Sequence, residues 1–430
     1  MTARAAPNAA FISARDVVQL DDTGKLAKLA DKAALIVELT TDRDGALWTA
    51  SIGGKITGYL PKRRTVVQLP IRDHTGRYPV AMTAASTGGI WALGRERLFR
   101  ISPSGKLEQW PTPVKRILGP ASMLEIGGAV WIASDYGVHQ LANGKWQTMR
   151  TDRHELLARD THGALWTTLH RKDKPDVLVG FDGATWTEVP IEGEGVAALA
   201  PGKDGTLYVV VWGKGWKDGR IDVLSTANAA ANGTAKATPK LTPTWTTRRL
   251  GGVDGLREPV ILDGRDRLWA SHDHGLLVLD AASGKRVADL APGSVAGLDG
   301  SVFKLAVTGA GPSTLPTTRT VPTGTLVGRL RGTNKSPLAN LKLELCVGNC
   351  FDGAPHVELS TDASGAFRID HVPALEFTSF RVAGTNTIRS LSGIFTTGRD
   401  PRAKPVQLDC CLNISPDRPL DLGTLDVLLH

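Results

Sequence analysis

The chain has 430 residues, 41% of them hydrophobic and 22% charged, with a formal net charge of +8. That composition excludes wholesale disorder and leaves room for two or three domains. No run of about 18 apolar residues occurs, so no transmembrane helix is expected.

The charge is uneven. Residues 312–430 hold 12 Lys/Arg and 11 Asp/Glu, so almost all of the basic excess lies earlier in the chain. A basic excess of this size hints at an anionic partner or serves solubility. The opening "MTARAAPNAAF" lacks the apolar core of an intact secretory signal. Two compartments stay open: extracytoplasmic, periplasm or cell surface, if a signal has been removed, or cytoplasmic. Residues 1–14 are expected to form a flexible arm.

The dominant feature of residues 15–311 is a repeat. "GALW" ends at Trp48, "GGIW" at Trp91, "GAVW" at Trp131 and "GALW" at Trp166; "GTLY" ends at Tyr208, "DRLW" at Trp269 and a weaker "GSVF" at Phe303. The spacings are 43, 40, 35, 42, 61 and 34 residues, mostly the size of a four-stranded propeller blade. An apolar run such as "ALIVELT" precedes each turn, and two more strands follow, as in "RLFRIS" and "SGKLEQWPTP". Alternating patterns with Gly, Asn and Asp turns mark an all-β chain.

The 61-residue spacing contains "STANAAANGTAKATPK", expected to be an insertion between the third and fourth strands of blade 5. Residues 16–30 match two strands of a blade and "SVAGLDGSVFKLAVTG" matches two more. Joined, they close a ring without exposed edges. Seven blades with a composite closing blade are expected; six is the alternative.

The repeat resembles two propeller groups. The Asp-Gly-x-Leu-Trp core is similar to the sensor propellers of bacterial two-component regulators. "LFRISPSGKLEQWPTP" is similar to the streptogramin B lyases. The second resemblance implies His and Glu residues on one propeller face, aided by a divalent metal, with Glu just after the Trp strand. Here those stretches read "WTAS", "WALG", "WIAS", "WTTL" and "WASH". The acids are gone, which argues for binding over chemistry.

Residues 312–323, within "GAGPSTLPTTRTVP", read as a linker. Residues 324–430 form a second expected domain. "TGTLVGRLRGTNKSPLANLKLELC" and "STDASGAFRIDHVPALEFTSFRVAG" resemble the carboxypeptidase regulatory-like domain, a small transthyretin-like β-sandwich, with "DLGTLDVLL" as its last strand. The resemblance implies a spacer or docking module. All four cysteines, Cys346, Cys350, Cys410 and Cys411, lie here. Their even number favours disulfides, in any of three pairings. A four-thiolate zinc site and free thiols are the alternatives.

The repeated tryptophans read as packing between blades, and the Asp-Gly pairs as hairpin turns. Function belongs on the loops joining strands two to three and strand four to the next blade. The ligand-binding candidates there are Lys55, Arg95, Tyr136, His170, Arg171, Lys172, Trp212, Lys214, Trp216, His272, Asp273 and His274. Arginines suit carboxylates and phosphates, and glycine-flanked tryptophans suit stacking. His272 and His274 are weak metal candidates. No catalytic residue and no cofactor is expected, for want of a nucleophile motif, phosphate loop or dinucleotide fingerprint. No nucleic-acid module is visible.

The expected function is a non-enzymatic binding or assembly protein. It recognises a protein or an anionic glycan through the basic, aromatic-bearing face. A divergent, metal-assisted lyase and an adaptor in a larger secreted or injected assembly are the alternatives. Oligomeric state has no signal in the sequence.

Overall fold

The structure is a computed structural model. It describes residues 8–13, 17–30, 36–51, 53–60, 63–70, 80–172, 174–213, 219–226, 243–245, 256–272, 275–291, 293–295, 298, 304–332, 334–346, 356–373, 376–377, 379–382, 388–390, 395–396, 412–413 and 419–427. Contacts divide the chain into two compact units, the first holding most of the propeller and the second the C-terminal sandwich.

The propeller is seven four-stranded antiparallel sheets, six of them running from an inner to an outer strand in chain order within the blade. Blade 1 comprises Ile36–Thr41, Leu47–Ser51, Lys55–Leu60 and Arg63–Gln68. Blade 4 comprises His154–Arg159, Leu165–Leu169, Val177–Phe181 and Trp186–Pro190. The inner strands follow one another around a ring. Lys304–Thr308 packs against Ile36–Thr41 on one side and Arg257–Leu262 on the other, which completes the circle.

The closing blade is composite, but its division differs from the sequence expectation. Only its inner strand, Lys304–Thr308, comes from the end of the repeat array. Ala9–Ser13, Val17–Leu20 and Leu26–Ala30 supply the other three. The split is one strand and three, not two and two. Part of the expected flexible arm is therefore a ladder strand. Phe11 pairs with Ala306 on one side and Gln19 on the other. The physical reason is burial: Ala9, Ala10, Phe11 and Ile12 are all at most 1% exposed. Phe303, read as the seventh repeat position, lies outside the described residues.

The tryptophan packing is borne out. Trp48, Trp166 and Trp269 are fully buried, and Trp48 sits in a cluster with Ile90, Phe99 and Ile101 of the next blade. Trp48 faces Gly58 across the ladder and Trp166 faces Gly180. A methyl group at Gly58 would come within 2.8 Å of the Trp48 ring, so the glycine makes room for the indole.

The hairpin turn before the tryptophan depends on its first residue more than on the Asp-Gly pair. Asp42 Oδ1 accepts hydrogen bonds from the backbone N–H of Asp44 and Ala46 at 3.0 and 2.9 Å. Asp42 Oδ2 accepts one from Trp48 Nε1 at 2.9 Å. Asp160 bonds Trp166 in the same way at 2.9 Å, and Asp263 bonds Trp269 at 2.8 Å. Where blade 2 has Ala85 at that position, Trp91 Nε1 instead donates to Glu125 of blade 3 at 2.7 Å. The indole N–H groups of Trp48, Trp91, Trp166 and Trp269 are thus satisfied, as burial demands of such groups.

The blade 5 insertion falls where expected, between Arg220–Ser225 and the short outer strand Thr244–Trp245. Residues 227–242 lie outside the described set.

In the second unit, Ala366–Pro373, Thr323–Gly332, Leu420–Val427 and Phe395–Thr396 form one sheet. His356–Ser360, Lys342–Cys346, Ser379–Val382 and Ile388–Ser390 form the other. Leu326, Leu330, Phe367 and Leu422 from the first sheet share one core with Leu343, Leu345 and Leu359 from the second. This is a β-sandwich, and Leu420–Val427 is its last strand, as the sequence indicated. The cysteine question falls outside the described residues, apart from the backbone of Cys346.

Candidate functional site: the loop end of the propeller

Antiparallel meanders put the turns between strands two and three at the same end as the links to the next blade. Hydrogen bonds show them meeting there. Leu69 N donates to Gly54 O at 3.0 Å, Ile117 N to Arg95 O at 2.9 Å, His170 N to Arg153 O at 3.0 Å and Glu194 N to Trp212 O at 2.9 Å. This end is therefore a stitched surface rather than a set of separate loops.

The same end carries irregularities in the inner strands. Pairing registers shift at the starts of four of them: between Ile36 and Glu38, His154 and Leu157, Val196 and Ala198, and Arg257 and Val260. Such bulges turn a side chain out of its regular direction. In blade 4 the bulge contains Glu155. Leu156 N at the bulge donates to Thr168 Oγ1 at 3.3 Å.

Glu155 belongs to an ionic cluster. His170 Nδ1 lies 2.8 Å from Asp176 Oδ1, and its Nε2 lies 3.0 Å from Glu155 Oε2. Arg153 Nη2 donates to Glu155 Oε1 at 2.5 Å. Burial disfavours charge on His170, but the Asp176 and Glu155 carboxylates outweigh it and push the imidazolium up to about 9. Burial works to raise the Glu155 carboxyl, yet His170 and Arg153 hold it below its ordinary range. His170 is thus a cation clamped by two carboxylates at neutral pH.

Neighbouring His154 has the opposite environment. It is fully buried, its Nδ1 lies 3.4 Å from Thr167 Oγ1, and its ring lies 6.5 Å from the Trp186 ring. Burial first, and then Arg150, push it down to about 4. In blade 1, Glu38 Oε1 accepts a hydrogen bond from Lys304 Nζ of blade 7 at 2.9 Å. Burial raises the Glu38 carboxyl despite that lysine.

The sequence candidates fall into three groups. Lys55, Lys172 and Tyr136 are exposed at this end, and Arg95 is half-buried there. Others are committed to the protein itself. Arg171 is exposed but pairs with Glu188. His170 is held as described. Trp212 is half-buried against the blade 5–6 core, with its indole N–H donating to Leu256 O at 3.1 Å.

His272 is a correction. It is 5% exposed rather than at a rim, and its Nε2 lies 3.3 Å from Asp289 Oδ1. The reason is its place: it ends the strand Arg267–His272, which is buried along its whole length. Lys214, Trp216, Asp273 and His274 lie outside the described residues. No cluster of three or more His, Cys, Asp and Glu suited to a metal occurs among the described residues.

Sequence reasoning missed Glu155, Asp176 and Leu118. It looked for acids after the tryptophan strand, whereas Glu38 and Glu155 approach this end from the inner strands.

The fold and this end together define the class: a seven-bladed β-propeller with an appended β-sandwich. No protein-family model matches the sequence, and no curated protein matches it. Solved structures are similar in fold. A streptogramin B lyase is 16% identical, with a TM-score of 0.47 over 61% of this chain and 86% of the lyase. PorZ, a surface component of the type-IX secretion system of Porphyromonas gingivalis, is 10% identical, with a TM-score of 0.44 over 87% of this chain and 62% of its own. The extracellular domain of a hybrid two component system from B. thetaiotaomicron is 12% identical, with a TM-score of 0.41 over 82% and 48%. These likenesses assign neither an activity nor a partner. No helix among the described residues is long and apolar enough to cross a membrane.

Proposed function

We propose that the protein is a binding platform whose loop end recognises an anionic protein or glycan partner. One observation carries the reading. Lys55, Arg97, Lys115 and Lys172, from four separate turns and links, are exposed at one end of the ring. Their charges are spread over a stitched and therefore pre-organised surface, which lowers the cost of binding. Extracytoplasmic work and a docking role for the sandwich accompany this reading.

The ionic cluster around His170 favours binding over chemistry. Each ring nitrogen of its imidazole lies against a carboxylate, so it serves as a fixed cation and not as a base with a free lone pair.

The test is a charge-reversal chain carrying Lys55→Glu, Arg97→Glu and Lys172→Glu. Partner capture from the native host, followed by quantitative mass spectrometry, is expected to fall about tenfold with the thermal transition unchanged. Capture at the unmodified level would contradict the reading.

A further inference from the structure

Four large hydrophobic residues are exposed among the described residues: Val66, Leu118, Tyr136 and Val287. Val66 and Val287 lie on the outer strands Arg63–Gln68 and Arg286–Leu290. Leu118, 55% exposed, and Tyr136, 39% exposed, lie on the loop end. They come from different blades but from one junction. Gly119 N, next to Leu118, donates to Oδ2 of Asp135, next to Tyr136, at 3.3 Å.

The junction is built to hold this pair in place. The link from blade 2 to blade 3 is fastened to the blade 2 turn, with Thr112 N donating to Glu96 O at 3.0 Å and Ile117 N to Arg95 O at 2.9 Å. Ile117 is fully buried in the blade 2–3 core, so the next residue, Leu118, is presented outward on an anchored backbone. Tyr136 N donates to Ser134 Oγ at 3.2 Å, which fixes the second turn.

The surroundings are cationic. Arg95, Arg97, Lys115 and Arg116 share the junction with the acids Glu96 and Asp135. Arg97, Lys115 and Glu96 are exposed, whereas Asp135 is half-buried under Gly119. The exposed balance is positive around an apolar centre, the anatomy of a small recognition site with an apolar core and a charged rim.

We propose that the Leu118–Tyr136 junction docks an acidic polypeptide segment, seating one of its apolar side chains between the two residues while its carboxylates meet Arg97 and Lys115. The inference rests on the reading of the loop end as a binding surface and narrows it to one place and one partner chemistry. Leu118, the more exposed of the two at 55%, favours a peptide over a glycan. It offers neither a ring face for a sugar nor a hydrogen bond for a hydroxyl, and Tyr136 serves an apolar side chain equally well.

The test uses the full chain as bait for a phage-displayed library of random dodecapeptides, with heparin binding measured in parallel. Enriched peptides are expected to surround a large apolar residue with Asp and Glu. Their affinity is expected to fall about tenfold on Leu118→Ser/Tyr136→Ser and on Arg97→Glu/Lys115→Glu. It should be unchanged on Lys145→Glu, at the start of the strand Lys145–Arg150 beside a turn at the opposite end. Matching thermal transitions establish that the variants are folded.

Several results would overturn the proposal: no enrichment, peptides lacking acids, or peptides indifferent to both double variants. Heparin binding lost in those variants without any peptide enrichment would assign the patch to a glycan and also overturn it. Peptides that depend on Lys55 and Lys172 but not on Leu118 or Tyr136 would overturn this site while leaving the broader loop-end reading standing.

Discussion

The Asp42 carboxylate accepts the Trp48 indole N–H at 2.9 Å while also holding two backbone N–H groups of the turn between them. One side chain therefore joins the turn to the blade core. Asp42→Ala leaves a buried indole N–H without its acceptor and frees the turn. It is expected to cost roughly 2–4 kcal/mol. Asp42→Asn, which keeps the shape and an acceptor oxygen, is expected to cost less. Chemical denaturation of both variants checks the order; equal stability of Asp42→Ala and the unmodified chain would refute it.

Gly58 faces Trp48, and a methyl group there would stand 2.8 Å from the ring. Gly58→Ala overpacks a fully buried site and is expected to destabilise by about 1–3 kcal/mol. Calorimetry reads this directly as a lowered transition temperature.

The two histidines of blade 4 give opposite pH dependence. His170 is pushed up to about 9, above the ordinary histidine value near 6.5. Its contribution to stability is full below about pH 6.5 and is lost as pH rises through 9. His170→Gln is expected to lower stability at pH 7 by roughly 1–3 kcal/mol, discounted from a fully buried pair because the side chains are partly exposed. The deficit should shrink toward pH 10.

His154 is pushed down to about 4. The unfolded chain takes up its proton first, so stability falls as pH drops from about 6.5 toward 4. Denaturation of His154→Gln across that range is expected to show a flatter profile than the unmodified chain. An NMR titration of both imidazoles checks the two values independently.

Ring closure depends on the first described strand. Ala9–Ser13 is hydrogen-bonded on both sides, to Lys304–Thr308 and Val17–Leu20. Deleting residues 1–15 removes a central strand of the closing blade and opens the ring. Loss of a single cooperative transition, with faster amide exchange in Lys304–Thr308, is the expected outcome.

The blades were legible in sequence because the tryptophan recurs with its turn and its alternating strands. The closing blade was read with the wrong split because "AAFIS" is short, weakly patterned and preceded by Pro7 and Asn8. One of its two ladder partners, Lys304–Thr308, lies nearly 300 residues away. The loop end was legible as a location, since turns alternate between ends of a meander. Its residues were only partly so. Tyr136 is exposed as expected, but His272 and Trp212 are drawn into packing by their strand positions. Leu118 carries no local signal. It is exposed because its neighbour Ile117 is buried, a relation that only the folded junction creates.

If the protein is a binding platform of the proposed kind, the loop end and not the opposite end meets its partner. A photo-crosslinking amino acid placed singly at Tyr136, Lys172, Arg43 and Lys145, in the full chain in its native host, tests it most directly. A recurring crosslinked species is expected from Tyr136 and Lys172 and none from Arg43 or Lys145. Crosslinking from Arg43 or Lys145 with none from Tyr136 or Lys172 would contradict it.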